Sequence, residues 1–281
     1  MNARNPNPGW FEGVDPDDVD GAASAIRDGR GDRPMDWPAA AVEDGFVDDE
    51  SGYYEVLREA TVRAASRGVE KRELADDQQL IHAIRALDDC QRVRNELTER
   101  LGEWAGTHDP EARIDAAYAR ELAARTPEDP VEERLVSLAE RVVALDDEAE
   151  TLRSFVDRST PEVAPNLAAL AGPDLAARLI ALAGGLEPLA KKPSGTVQVL
   201  GAEGSLFAHL RGGAPSPKHG VIYLHEAVRG TDPDKRGSTA RALAGKLAIA
   251  ARIDHYSGDY RPELERELDE RIERIRARDV S

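Results

Sequence analysis

Two stretches of this chain space their apolar residues in alternating steps of four and three, and a helix is the regular element that brings such steps onto one face. In DDQQLIHAIRALDDCQRVRNELTERLGEW the seam runs Ala83, Leu87, Cys90, Arg94, Leu97, Leu101 and Trp104; after Pro130 it runs Val131, Leu135, Leu138, Val142, Leu145, Ala149, Leu152 and Val156. Sustained over that length, the spacing predicts two long helices joined as a coiled coil rather than lone surface helices. The segment between them, AGTHDPEARIDAAYARELAARTPEDP, carries Gly106, Pro110, Pro127 and Pro130, which break helices and permit a reversal. An antiparallel hairpin over residues 53–158 follows. Because isolated two-helix arms are marginal in water, Leu87, Leu97, Leu101, Leu135, Leu138, Val142, Leu145 and Leu152 are expected to serve self-dimerisation.

Either side of the hairpin the pattern changes. Residues 1–52, rich in Asp, Gly and Pro with Trp10, Phe11, Trp37 and Phe46 as scattered anchors, predict a short N-terminal domain with weak regular structure. Residues 159–258 predict compact helices punctuated by Gly172, Pro173, Gly184, Gly185 and Pro188, with TVQVL and GVIYLH as short β-prone runs. RGSTARALAGKLAIAARID predicts a strong packed helix, and 259–281 a charged, solvated terminal helix. The fold class is therefore mainly α.

Within a protein of net charge -17, the 98 residues from Pro161 to Gly258 hold 11 Lys/Arg against 8 Asp/Glu, so this block is +3 and the other 183 residues are -20. A basic segment kept inside an acidic chain points to a polyanionic partner. Lys218, His219, Arg236, Arg241, Lys246 and Arg252 lie on a Pro/Gly-rich loop and the following helix, where they could set cations and a stacking imidazole along a phosphate backbone. Ordinary surface cations would give the same spacing, since Arg241, Lys246 and Arg252 are offset by five and six and form no tight stripe.

Other chemistries find little support. No GxGxxG follows a strand, no GxxxxGK[ST] is present, and the SGT of KKPSGT lacks the lysine of a phosphate-cradling loop. His209, His219, His225 and His255 come without HExxH or paired-ligand spacing, so no metal is expected. Ser194, Ser205 and Ser216 sit in no GxSxG elbow, and nothing in the spacing selects Glu203 or Glu226 as an acid–base partner of His209 or His225. No cofactor and no catalytic residue is expected. The lone Cys90 reads as a small buried hydrophobe. With no run of eighteen apolar residues and a polar start, MNARNPNPGWFEG, the expectation is a cytoplasmic protein without a membrane segment.

The strings APNL from Ala164, LAARLIALAGGLEPLAKKPSGTVQVLGAE from Leu175, PKHGVIY from Pro217 and RGSTARALAGKLAIAARIDHYSG from Arg236 resemble the Nop domain of the archaeal box C/D ribonucleoprotein core protein. That family is related to the eukaryotic nucleolar proteins fifty-six and fifty-eight and to a spliceosomal RNA-processing factor. QLIHAIRALDD and NELTERLGEW resemble the first helix of the family's coiled coil, so the resemblance covers about residues 75–258. It implies a non-catalytic scaffold: an N-terminal domain holding the methyltransferase fibrillarin, a coiled coil pairing two copies, and a Nop domain at 159–258. That domain clasps box C/D guide RNA whose kink-turn already carries a ribosomal-type protein. The assembly directs 2′-O-methylation of ribose in ribosomal and transfer RNA. A structural coiled-coil dimer, or a Nop-domain protein of another ribonucleoprotein, remains an alternative.

Carried over by position, GAEGSLFAHL, with Gly201, Ala202 and Glu203 at its start, would face RNA and kink-turn protein. Lys218 and His219 would approach the RNA, while Arg236, Arg241, Lys246 and Arg252 would contact phosphate or pack internally. Arg252 and Asp254 are equally compatible with an internal ion pair. The chain departs from the family at three places. GAEKALFRHL is usual where Gly204 and Ala208 replace a Lys and an Arg; HDPEA from His108 replaces HFPEL; and the N-terminal region is reduced, with no lysine-rich tail. The composition, 31 Arg but only 6 Lys beside 54 Asp and Glu, resembles that of cytosolic proteins from salt-accumulating halophilic archaea.

Overall fold

The structure, a computed structural model, describes residues 9–29 and 35–277, and it divides into two units, Met1–Ala75 and Asp76–Ser281. The first unit is more regular than its composition predicts. Three helices, α1 (Val19–Asp28), α2 (Trp37–Glu43) and α3 (Glu50–Glu73), each start on an aspartate, Asp18, Asp36 and Asp49, whose carboxylate accepts a first-turn N–H. The four aromatic anchors converge: Phe11 stacks on Phe46 at 5.4 Å, Trp37 packs at the edge of Phe11, and the Trp10 indole donates to the Tyr53 hydroxyl at 3.1 Å. Tyr53 opens α3, so the unit runs past residue 52 and takes in the whole helix that was expected to begin the hairpin.

The second unit starts with α4 (Asp76–Ala105), followed by α5 (Ala116–Ala123) and α6 (Pro130–Val163). Helices α4 and α6 pack antiparallel. At the far end Leu101 and Ala105 share a core with Leu135, Ala139 and Val142, and α5 adds Tyr118, Ala119 and Leu122 to it. Arg94, the one charged seam position of α4, reaches Asp146 of α6 at 2.7 Å, and Asp146 also takes Arg120 of α5 at 2.6 Å. Trp104 is 37% exposed, and Gly102 and Ala105 are buried in its place, as expected when a 3.6-residue helix drifts off a seven-residue repeat. Leu87, Leu101, Leu135 and Val142 are buried, and Leu97, Leu138, Leu145 and Leu152 half-buried, in this single chain. Four of these seam residues thus find their cover inside one chain, and the other four keep part of their surface open.

Near its base the helix pair merges with the rest of the unit. Leu80, Ile84 and Leu87 of α4 and Ala149 and Val156 of α6 share one core with α7 (Pro165–Ala171), α8 (Pro173–Ala183), α9 (Leu186–Ala190), α10 (Ser194–Val199) and α13 (Arg236–Tyr256). Cys90 packs partly buried at its edge. Helix α6 continues unbroken through residue 158 and through Pro161. Around that core lie α11 (Glu203–Leu210), a 3₁₀ turn (Val221–Leu224) and α12 (Glu226–Arg229). No strand occurs among the described residues. TVQVL is helical because Val197 and Leu200 are drawn into the core beside α13, where packing outweighs β-propensity; GVIYLH forms the 3₁₀ turn.

The terminal helix α14 (Glu263–Arg276) is not simply solvated. It buries Leu264, Leu268, Ile272 and Ile275, a stripe spaced four, four and three, and packs on α13. Two short helices lack a capping side chain of their own and take one from a long helix. Asp77 of α4 accepts the Leu186 N–H that opens α9, at 2.8 Å. Asp254 of α13 accepts the Asn166 and Leu167 N–H groups that open α7, at 3.0 and 2.9 Å.

Candidate nucleic-acid interface

The loop between α11 and the 3₁₀ turn is held by its backbone. Gly220 donates to the Gln198 carbonyl at 2.8 Å, Val221 to that of Leu200 at 2.7 Å, and the Gln198 amide donates to the Lys218 carbonyl at 2.7 Å. A Cβ on Gly220 would sit 2.0 Å from the Leu200 oxygen, so only glycine permits this approach. Pinned on both sides, Lys218 and His219 are presented at fixed height.

His219 stacks on Tyr223 with ring centroids 4.7 Å apart and planes 20° from parallel, and the Arg236 guanidinium lies over Tyr223 at 5.4 Å. An imidazole, a phenol and a guanidinium thus form one layered platform, with Lys218 exposed beside it. Burial lowers the His219 pKa, and the charges of Arg236 and Lys218 lower it further, so the ring is neutral at pH 7 and suited to stacking. Arg236 spends one nitrogen on the Thr231 carbonyl at 3.3 Å, while its buried Nε has no partner. Such platforms are the surfaces on which unstacked RNA bases are received.

Next to the platform an apolar groove of about 530 Å³ is lined by Ile84, Ala181, Leu182, Gly201, Tyr223 and Leu224. On its rim Arg178 pairs with Asp88 at 2.7 Å and Asp174 at 2.8 Å, while Arg85 also lines the groove. Gly201 takes φ +83° there, and a Cβ at this position would lie 3.2 Å from Leu182 and 3.4 Å from Val221. Its N–H donates to the Glu203 carboxylate at 2.9 Å, so Glu203 organises the turn into α11, and half-buried Ala202 is the N-cap position. Helix α11 buries none of its residues and exposes Phe207 and Leu210 by 58% and 71%.

The other cations named from sequence disperse. Lys246 is taken by Glu267 of α14, with its side chain only 17% exposed, so it serves packing rather than a ligand. Arg252 donates to the Lys192 carbonyl at 3.3 Å and does not touch Asp254; the ion-pair reading fails because Asp254 turns inward to the α7 N-terminus. Arg241 is exposed and faces α14. His225 is structural: its Nε2 reaches the Leu170 carbonyl at 2.9 Å and its Nδ1 accepts from Ala227 N–H at 3.1 Å. Among the described residues no cluster of His, Cys, Asp and Glu could hold a metal ion. Tyr223 and the groove were missed from sequence, although Tyr223 lies within the string PKHGVIY.

Comparison with known families matches residues 73–275 to the one described as "Nop: snoRNA binding domain, fibrillarin". This chain belongs to the Nop family. A NOP5 family protein of Methanocaldococcus jannaschii, itself uncharacterized, is 39% identical over 238 residues, 71% of this chain and 57% of that protein. Nucleolar protein 58 of Scheffersomyces stipitis is 32% identical over 247 residues, 73% of this chain and 48% of that protein. The chain thus spans about half the length of the curated relatives it matches. Among solved structures, a chain of a crystallised fibrillarin/Nop5p complex superposes with TM-score 0.54 and 25% identity over 91% of this chain and 92% of that one. The platform, the groove and α11 all lie inside the matched Nop region.

Proposed function

We propose that this chain is a non-catalytic scaffold of a box C/D guide ribonucleoprotein, clasping kink-turn guide RNA together with the ribosomal-type protein on it and positioning fibrillarin for 2′-O-methylation of ribose. The observation that carries the reading is the His219–Tyr223–Arg236 platform, raised on a glycine-locked loop beside exposed Lys218 and an apolar groove. A stacking surface with few cations fits a shaped RNA better than a long stretch of phosphate backbone, and the apolar groove with α11 fits the protein half of the same target. Membership of the Nop family and the likeness to a Nop5p chain crystallised with fibrillarin support the same reading.

The test uses a synthetic kink-turn hairpin RNA loaded with its kink-turn-binding protein. The full chain should bind this complex, and Lys218→Ala with His219→Ala should abolish binding while leaving the helical spectrum and melting temperature unchanged. Binding that ignores both changes, or methyl transfer to RNA by the purified chain without fibrillarin, overturns the proposal.

A further inference from the structure

Helices α13 and α14 run antiparallel, and between the Lys235–Arg276 and Lys246–Glu267 contacts three arginines line one cleft of about 210 Å³. Arg241 projects from α13 with Ser238 one turn before it; Arg271 and Arg274 project from α14, also one turn apart, over a floor made by Ile275. The buried stripe of α14 fixes this arrangement, because Ile272 and Ile275 each follow one of the two arginines in sequence and hold that edge of the helix toward α13.

None of the three arginines forms an ion pair among the described residues, although the chain carries net charge -17 and α14 itself bears Glu267, Asp269, Glu270 and Glu273. Glu267 is committed to Lys246, and Arg274 reaches only the backbone carbonyl of Glu270, at 3.1 Å. Three guanidiniums gathered at one cleft repel one another, and an acidic chain offers many carboxylates that could relieve this. The arrangement suits an anion that enters between the helices. Guanidinium forks and a serine hydroxyl match the oxygens of a phosphate group, which accepts paired N–H donors.

Arg241 lies five residues beyond Arg236, about 7.5 Å further along α13 and about 140° around it. One phosphate therefore cannot be shared between this cleft and the stacking platform. We infer that the Arg241–Arg271–Arg274 cleft is a second RNA contact, binding a backbone phosphate of the guide RNA away from the stretch received by His219. The inference rests on the scaffold reading above and adds an element of the molecule, α14, that the stacking platform does not use.

The experiment measures affinity of the full chain for the loaded kink-turn hairpin RNA across salt from about 0.1 to 1 M. Arg271→Gln with Arg274→Gln should weaken binding several-fold at the lowest salt and make the log–log salt slope shallower by about one to two, as expected for lost phosphate contacts. Arg266→Gln, on the same helix but outside the cleft, should leave the slope unchanged. An unchanged affinity and slope for the double variant overturns the inference, and so does an equal loss in Arg266→Gln, which would mean a diffuse charge effect. Loss of inorganic phosphate binding by the double variant with RNA affinity intact assigns the cleft to a free anion and also overturns it. If the unaltered, folded chain binds no loaded RNA, the scaffold reading itself has failed, which separates the two conclusions.

Discussion

Asp254 and Asn166, 88 residues apart in sequence, are joined by two hydrogen bonds at 3.0 and 2.6 Å, and through them the longest C-terminal helix caps the helix that begins that domain. Asp254 also accepts the Leu167 N–H at 2.9 Å, while Asn166 donates to the Asp259 carbonyl at 2.8 Å and accepts the Arg261 N–H at 2.7 Å. Burial pushes the Asp254 carboxyl above its ordinary value, and its three N–H donors pull the other way. The network explains why APNL and RIDHYSG, distant in the chain, belong to one structural device.

Asp254→Ala should therefore destabilise the second unit by roughly 3 kcal/mol, since it leaves two buried backbone donors without an acceptor and takes away one of the two acceptors of the Asn166 amide. For a unit of this size that is a fall in Tm of about 6–12 °C. Asp259→Ala is the control, because only the backbone carbonyl of Asp259 is used. Thermal melts followed by circular dichroism should show a large drop for the first variant and almost none for the second; equal drops would mean that the cap is not the cause.

Across the helix pair, Asp146 answers both Arg94 and Arg120, and its side chain is 22% exposed. The Arg94 hydrogen bond is the largest cause holding its carboxyl below the ordinary value, against the opposing effect of burial. The unfolded chain then takes up the proton first as pH falls, so the stabilisation is present above the ordinary carboxylate pKa and is lost as pH drops through the folded value. Asp146→Asn should cost about 1–2 kcal/mol at neutral pH and little at a pH below both values. Urea melts at two pH values check this, and a cost that does not shrink in acid would show that the charge is not responsible.

The helix pair was legible because its seams repeat over many turns, and the fold class with it. The buried stripe of α14 was equally regular, yet Leu264, Leu268, Ile272 and Ile275 are separated by charges of both signs that read as a solvated helix. TVQVL was misread because a run of five residues carries propensity but no record of the helix it packs against. Of the residues at the stacked platform, Lys218, His219 and Arg236 were singled out from sequence and Tyr223 was not, since the platform depends on a turn geometry enforced by contact between Gly220 and Leu200. Lys246 and Arg252 were indistinguishable from ligand-binding cations in sequence; their partners, Glu267 and the Lys192 carbonyl, are 21 and 60 residues away.

His219 should titrate below its ordinary value of 6.5, with burial first and the charges of Arg236 and Lys218 second as causes. Its folded value is depressed, so the unfolded chain binds the proton more readily, and the contribution to stability falls as pH drops from about 6.5 through the folded value. Arg236→Ala should move the imidazole back toward 6.5 by removing a neighbouring cation. Proton NMR titration of the ring resolves both; a pKa at or above 6.5 in the unaltered chain would contradict the platform's geometry.

Position 204 offers the sharpest probe of how the surface of α11 meets RNA. Gly204 has open space where a Cβ would stand and no left-handed backbone, so Gly204→Lys enters the first turn of α11 without strain. It should leave the fold intact with little net change in stability, because the gain from replacing a helical glycine is offset by a cation in the first turn of the helix. If α11 faces RNA, the new ammonium adds about one phosphate contact, and log affinity for the loaded kink-turn RNA should fall more steeply with log salt by about 0.9. The unaltered chain, lacking cations at Gly204 and Ala208, should accordingly show a shallower slope than a relative that has both. A folded Gly204→Lys variant with an unchanged slope would show that α11 does not face the RNA.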